Sequence, residues 1–347
     1  MKGNGRDMKA ARFYEIGKIV IDEISVKEPE EYEVLIKIRY CGVCGTDVHI
    51  FNGEKGSAKV NPPVILGHEL SGDVEKVGSK VSGIKPGDRV SVDPNTYCGK
   101  CYFCANGKKH LCTDMKGLGT AVDGAFAEYI TVPEESVYPI AENVSYEEAA
   151  MTEPISCCLH GFDMTDVKMG DTVMVVGTGN IGLIMVQLAK NAGADKIIAV
   201  EPNETRRKKA LELGASFGID PLHDNTEEIL KEHKIVNIDK VIDCAGRIST
   251  AEYAVRYAGK GAIVMLFGLT GPDDAMNLKP FEVFQKELTI KGSFVNPDTF
   301  ERAGRLLGTG AIKADKIISD IIPLGDIQRV FEERLYAKDG KVLIKCD

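Results

Sequence analysis

Cys44, Thr46, Asp47 and His49 stand together at the start of this chain's densest chemical stretch, and Gly67-His68-Glu69 follows a short way on. These segments supply a thiolate, a hydroxyl, imidazoles and carboxylates. Thiolate, imidazole and carboxylate are the donor types of a catalytic zinc, which takes three protein ligands and keeps one position exchangeable. Glu153, in Thr152-Glu153-Pro154-Ile155-Ser156, adds a second acid. Charge limits how these groups are used. Zn²⁺ with the Cys44 thiolate, neutral His68 and one carboxylate is formally neutral, whereas a second carboxylate ligand makes the site anionic and weakens the ion as a Lewis acid. Cys44 and His68 bind in either arrangement. Glu69 and Glu153 divide the rest, one as ligand and one holding water or substrate by hydrogen bond; the sequence leaves open which does which. Thr46 and His49 suit a proton relay, in which the hydroxyl takes the proton of an alcohol and the imidazole farther out delivers it to solvent.

Cys98, Cys101, Cys104 and Cys112 follow the pattern C-x2-C-x2-C-x7-C. Four thiolates on one loop close a tetrahedron around zinc and leave no open position, which makes this a structural site stapling a loop without its own core. A ferredoxin cluster has a last gap of three residues followed by proline. Here the gap is seven and Thr113 follows, so zinc is preferred.

Gly177-Thr178-Gly179-Asn180-Ile181-Gly182 has the form of a dinucleotide loop. It follows an apolar run, opens a helical pattern, and has an acid, Glu201, at the end of the next strand. Gly177 permits the tight turn, Gly179 lets a pyrophosphate approach, and Gly182 allows close helix–strand packing. The helix N-terminus, from Asn180 and Ile181 on, supplies amide donors. Glu201 accepts from the ribose hydroxyls of NAD and repels a 2′-phosphate, while Arg206 and Arg207 leave room for NADP. A metal site together with a dinucleotide site implies hydride transfer between an alcohol and NAD(P).

The elements that position these groups fall into two textures. Through about residue 145 the chain reads as short strands, such as Val34-Leu35-Ile36-Lys37-Ile38, punctuated by glycine and proline. This is a β-rich domain with long functional loops. After Pro154, strands alternate with helices: Thr172 to Val176, then residues 181–191 with Ile181, Ile184, Met185, Leu188 and Ala189 on one face, then Lys196 to Val200 and a charged helix from Glu204 to Leu213 stopped by Gly214. Lys240-Val241-Ile242-Asp243, residues 262–266 and residues 288–291 read as further strands, and Ser249-Thr250-Ala251-Glu252 has the form of a capping box. Such alternation means a doubly wound parallel sheet. An amphipathic helix is expected near residues 298–307. A last strand, Val342-Leu343-Ile344, could extend either domain.

The 347 residues suffice for two domains, with 44% apolar and 27% charged residues. A net charge of −9 excludes the basic stripe of a nucleic-acid binder and disfavours anionic membranes. No apolar run approaches the roughly 18 residues of a membrane span. The polar start, residues 1–7, is no signal peptide, and Met8 is read as the functional start after seven disordered residues. The expected compartment is the cytoplasm, where clustered thiols serve as metal ligands.

In motif order the chain resembles the medium-chain zinc-dependent alcohol dehydrogenases, essentially from Met8 to Asp347. Glu153-Pro154-Ile155-Ser156 looks like the sorbitol (polyol) dehydrogenase branch, in which glutamate stands where classical alcohol dehydrogenases place a cysteine. The resemblance implies a GroES-like catalytic domain from residues 1–154 and 295–347 around an inserted Rossmann domain of residues 155–294. It places Ser293, in Lys291-Gly292-Ser293-Phe294, near the nicotinamide. It implies a homodimer or homotetramer and two zincs per chain. The expected reaction is NAD(P)-linked interconversion of a secondary alcohol, a polyol or sugar alcohol, and its ketone. The alternatives are L-threonine 3-dehydrogenase or 2,3-butanediol dehydrogenase-like activity and, outside catalysis, a zinc-stapled nucleotide-binding regulatory protein. Many bacterial relatives keep the cysteine lobe that animal sorbitol dehydrogenases often lack. Cys157-Cys158 matches no motif and reads as buried packing.

Overall fold

The computed structural model describes residues 6–54, 59–337 and 339–347. The chain forms two compact units. One comprises residues 1–156, 297–310 and 314–347, and the other residues 157–296 and 311–313. The division therefore falls two residues later at each crossing than the motif order suggests, within the helix Thr152–Thr165 and again at 296/297.

The first unit is built on a seven-stranded sheet. Its main path runs Val137–Pro139, Arg89–Val92, Glu69–Val77, Glu33–Gly42, Lys341–Lys345, Ile318–Pro323, and Tyr129–Pro133 pairs with the beginning of Glu33–Gly42. A three-stranded sheet of Lys18–Ser25, Asp7–Glu15 and Val64–Ile65 packs with it around one apolar core that includes Ile36, Ile38, Leu70 and Phe126. Burial of this aliphatic surface is the main stabilising term. The last strand belongs to this unit. Lys341–Lys345 lies antiparallel to Glu33–Gly42, with Leu343 opposite Gly42, and Gly42 is in turn opposite Glu69.

The second unit is a six-stranded sheet, every pairing parallel, in the order Phe217–Ile219, Lys196–Val200, Thr172–Val176, Lys240–Asp243, Ile263–Leu266, Thr289–Gly292. The order reverses at Thr172–Val176, and ligands of such sheets bind at that switch point. Thr172–Val176 is Val-rich and buried beyond its first residue, as expected for a strand covered on both faces.

Three expectations need correction. The helix Asn180–Asn191 is buried on nearly all sides from Gly182 to Ala189 rather than along one face, and Gln187 Oε1 accepts the Lys313 N–H at 2.8 Å where residues 311–313 return to this unit. The capping pattern at residue 249 is displaced. The helix begins at Ile248, and the Arg247 N–H donates to Thr250 Oγ1 at 3.2 Å. The seven disordered residues expected before Met8 do not include Arg6 and Asp7: the first strand is Asp7–Glu15, and Arg6 pairs with Glu75 at 3.0 Å and lies 4.3 Å over the Tyr129 ring. The rest of the lead segment, residues 1–5, lies outside the described residues.

Candidate functional site

Cys44 has extended backbone (φ −98°, ψ 157°) and caps the helix Gly45–Asn52. That helix starts here because Asp47, three residues in, reaches back: its Oδ2 accepts the Cys44 N–H at 2.9 Å. Its Oδ1 accepts the Gly67 N–H at 3.1 Å and sits 3.9 Å from His68 Nδ1. Asp47 thus ties the two donor segments together from a fully buried position. Burial raises its pKa, against the pull of His68 and the two amides. Gly67 itself has φ +88°, and a Cβ there would meet the Phe126 ring at 2.8 Å, so the approach to His68 requires glycine.

Cys44, His68 and Glu69 place one donor atom each within 4.8 Å of one another. His68 and Glu69 are buried and Cys44 is half-buried. Burial opposes charging of His68, yet Cys44, Asp47 and Glu153 together outweigh it and raise its pKa well above the ordinary value. Such a surplus of anionic character is what a divalent cation relieves. Glu153 lies outside the three-donor cluster but is buried and acts electrostatically on both His68 and Lys341. Thr46 Oγ1 is 3.8 Å from Cys44 Sγ, and the His49 ring bonds through Nδ1 to Glu54.

Lys341 had no place in the sequence argument. Its ammonium lies 2.6 Å from Glu69 Oε1 and also contacts Oε2, and both side chains are buried. Burial works against this charge, but Glu69, Cys44 and Glu153 raise its pKa. The available signals were slight: a lysine inside the apolar run Gly340-Lys341-Val342-Leu343-Ile344, and for Asp47 an acid three residues after a helix cap.

The other cysteines form the second cluster. Cys98, Cys101, Cys104 and Cys112 bring their sulfurs within 4.8 Å of one another. Backbone N–H groups of Cys101 and of Cys98 and Asp114 donate to Cys98 Sγ and Cys112 Sγ respectively, each at 3.4 Å. Amides of Cys104 and Thr113 pull the Cys101 thiol down to about 6. Amides also lower the Cys98 thiol, whereas burial and the neighbouring thiols push Cys104 up to about 12; four sulfurs gathered at this spacing fit zinc. None of the ten cysteines is in a disulfide.

In the second unit the glycine loop has the required shape. Gly177 has φ +84°, open space lies in front of Gly179, and a Cβ on Gly182 would stand 2.0 Å from Gly177 O. Gly179 caps the helix Asn180–Asn191, so the amides at its N-terminus are free for an anion. Thr178 Oγ1 and Ser293 Oγ are buried without hydrogen-bond partners. Glu201 is buried at the end of the next strand, where its oxygens accept the N–H groups of Thr178 at 2.9 Å and Asn203 at 3.0 Å. Arg207 is spent locally on the carbonyls of Glu201 and Pro202, at 2.5 and 3.1 Å, and Arg206 is half-buried.

The family model for the alcohol dehydrogenase GroES-like domain matches residues 30–142, and that for the zinc-binding dehydrogenases matches residues 180–309. The sorbitol dehydrogenase of Bacillus subtilis is 34% identical over 343 residues, covering 96% of this chain and 95% of that protein. The chain belongs to the medium-chain zinc-dependent dehydrogenases. Within this family, an L-threonine 3-dehydrogenase of Caldanaerobacter subterraneus is 36% identical over 331 residues, with 94% of each chain covered. Among solved structures, a protein of Sinorhizobium meliloti 1021, described as a zinc-binding dehydrogenase and solved with NADP, has a TM-score of 0.93 at 37% identity, covering 98% of this chain and 99% of its own. As a member of the polyol branch of this family, the protein is an NAD(P)-dependent zinc alcohol dehydrogenase with a GroES-like domain and a Rossmann domain. No helix among the described residues is long and apolar enough to cross a membrane.

Proposed function

We propose that the protein oxidises a secondary hydroxyl of a polyol or sugar alcohol to the ketone, reversibly, with NAD as the hydride acceptor. Cys44, His68 and Glu69 hold the catalytic zinc, and Glu153 is the hydrogen-bonding acid beside it. A zinc held there would polarise the substrate oxygen, and a dinucleotide in the glycine loop would supply the hydride acceptor. Thr46 takes the hydroxyl proton and passes it outward to His49, whose bond to Glu54 steadies the ring for release to solvent. Cys98, Cys101, Cys104 and Cys112 hold the structural zinc.

The three-donor cluster carries this reading, because it joins a thiolate, an imidazole and a carboxylate in a largely buried setting. Gly177, Gly179, Asn180, Ile181 and Gly182 cradle the pyrophosphate, and Ser293 serves the nicotinamide end. Glu201 receives the adenosine ribose. A buried anion at that point opposes a 2′-phosphate, which supports NAD over NADP, and Arg207 is engaged with the Glu201 carbonyl. The exposed edge Thr289–Gly292 suits pairing with a second copy, consistent with a homodimer or homotetramer. Ten cysteines outside disulfides support a cytoplasmic setting.

Threonine is the second substrate reading, supported by the threonine-dehydrogenase relative. A panel of sorbitol, arabitol phosphate, 2,3-butanediol and L-threonine, each with NAD and NADP, tests the proposal. Turnover of threonine alone, or of no secondary alcohol by material holding two zincs per chain, would end the polyol assignment.

A further inference from the structure

The buried ion pair between Lys341 and Glu69 answers a question that charge alone leaves open. Two glutamates and a thiolate surround one divalent site, and Zn²⁺ with all three is formally −1. Lys341 restores neutrality. Among its charged neighbours are Glu69, Cys44 and Glu153, the same groups that face the metal position. The ammonium donates to Glu69 Oε1 at 2.6 Å and also contacts Oε2, so it spans both carboxylate oxygens. A cation binding at Glu69 therefore shares this carboxylate with the ammonium.

The backbone makes room for this pair. Leu343 is opposite Gly42 and Gly42 is opposite Glu69, so three adjacent strands carry both partners. A Cβ on Gly42 would stand 2.1 Å from Glu69 Oε2 and 2.8 Å from Lys341 Cε. The Val43 N–H donates to Val342 O at 3.0 Å and the Lys341 N–H to Ile317 O at 2.9 Å, fixing the lysine from both sides. A lysine that is 4% exposed is rare unless paired, and its partner here belongs to the donor cluster.

We propose that Lys341 is a positioning residue of the metal centre. It holds the Glu69 carboxylate in place and cancels one carboxylate charge so that the site can keep both glutamates and remain electrophilic. In the metal-free protein it neutralises Glu69 and thereby competes with the incoming cation. The inference rests on the metal reading given above.

The test uses the full chain and Zn²⁺ alone, titrated against a chromophoric chelator, with Lys341→Met and Lys341→Gln beside the unmodified protein. The lobe zinc is the internal standard and should keep its affinity. Both variants lose the charge, and glutamine keeps a donor for Glu69, so it guards against a simple folding failure. With the competing ammonium gone, zinc at the Cys44 site should bind about tenfold or more tightly in both variants, and kcat with both zincs loaded should fall. Unchanged or weaker binding at that site in Lys341→Gln, or an effect confined to Lys341→Met, overturns the charge assignment. A single zinc in the unmodified protein would instead sink the underlying metal reading, and so the two failures are distinguishable.

Discussion

Asp47 Oδ2 accepts the backbone N–H of Cys44 at 2.9 Å, so the helix cap and the thiol donor are one structural feature. The same carboxylate holds Gly67 through its other oxygen, one residue before His68. Hydrogen bonds to an ionised acceptor are worth about 1.5–3 kcal/mol each. Asp47→Asn keeps one acceptor and turns a donor toward a backbone N–H. Zinc affinity at the Cys44 site should fall about 10- to 100-fold, with lobe zinc unchanged. Chelator competition measures this, and equal affinity in the variant would remove Asp47 from the assembly of the centre.

Thr46→Val should lower kcat about 10²- to 10⁴-fold with both zincs retained, whereas Thr46→Ser, which keeps a hydroxyl, should stay near the unmodified rate. His49→Gln should cost less, because the half-exposed ring can be replaced by water or buffer. The check is steady-state turnover of Thr46→Val beside metal analysis. Full activity without the hydroxyl would eliminate the relay.

The cysteine lobe has its own pH dependence. Amides of Cys104 and Thr113 depress the Cys101 thiol to about 6, below its ordinary value. A depressed acid keeps its charged form to lower pH, so protons compete with zinc for this thiolate only as pH falls through about 6. Lobe zinc should therefore be held at neutral pH and released on acidification past that point, as followed by zinc-indicator absorbance. Cys101→Ser should lose one zinc at neutral pH and expose residues 98–112 to protease. Retention of two zincs would contradict a four-thiolate site.

Glu201→Ala removes the acceptor for two backbone N–H groups and for the ribose. The KM for NAD should rise about tenfold or more, equivalent to about 1.4 kcal/mol, and the ratio of kcat/KM values should move toward NADP. Initial rates with both dinucleotides decide it. An unchanged ratio would mean that selection lies elsewhere.

What the sequence made legible was local. The cysteine spacing and the glycine loop each lie within one short segment, so residue types and intervals carry the chemistry directly. Cys44, His68 and Glu69 could be grouped because their chemistry is scarce. Lys341 could not be, since it meets Glu69 from 272 residues away and only strand pairing brings them together. Asp47 was visible as an acid but not as a clasp, because its second partner, Gly67, is on another segment. The amphipathic pattern of Asn180–Asn191 misled because nearly the whole of Gly182–Ala189 is covered. Residues 342–344 read as a strand, but periodicity carries no address, and only pairing with Tyr40, Cys41 and Gly42 assigns it to the first unit.

That pairing has a consequence for synthesis on the ribosome. Residues 157–296 form almost all of the second unit and can fold as they emerge. Tyr40, Cys41 and Gly42 must wait through all of that translation for residues 343–345, and Glu69 waits as long for its ammonium. A nascent chain stalled before residue 341 would hold a finished nucleotide unit beside an unzipped sheet flank, a natural client for a chaperone.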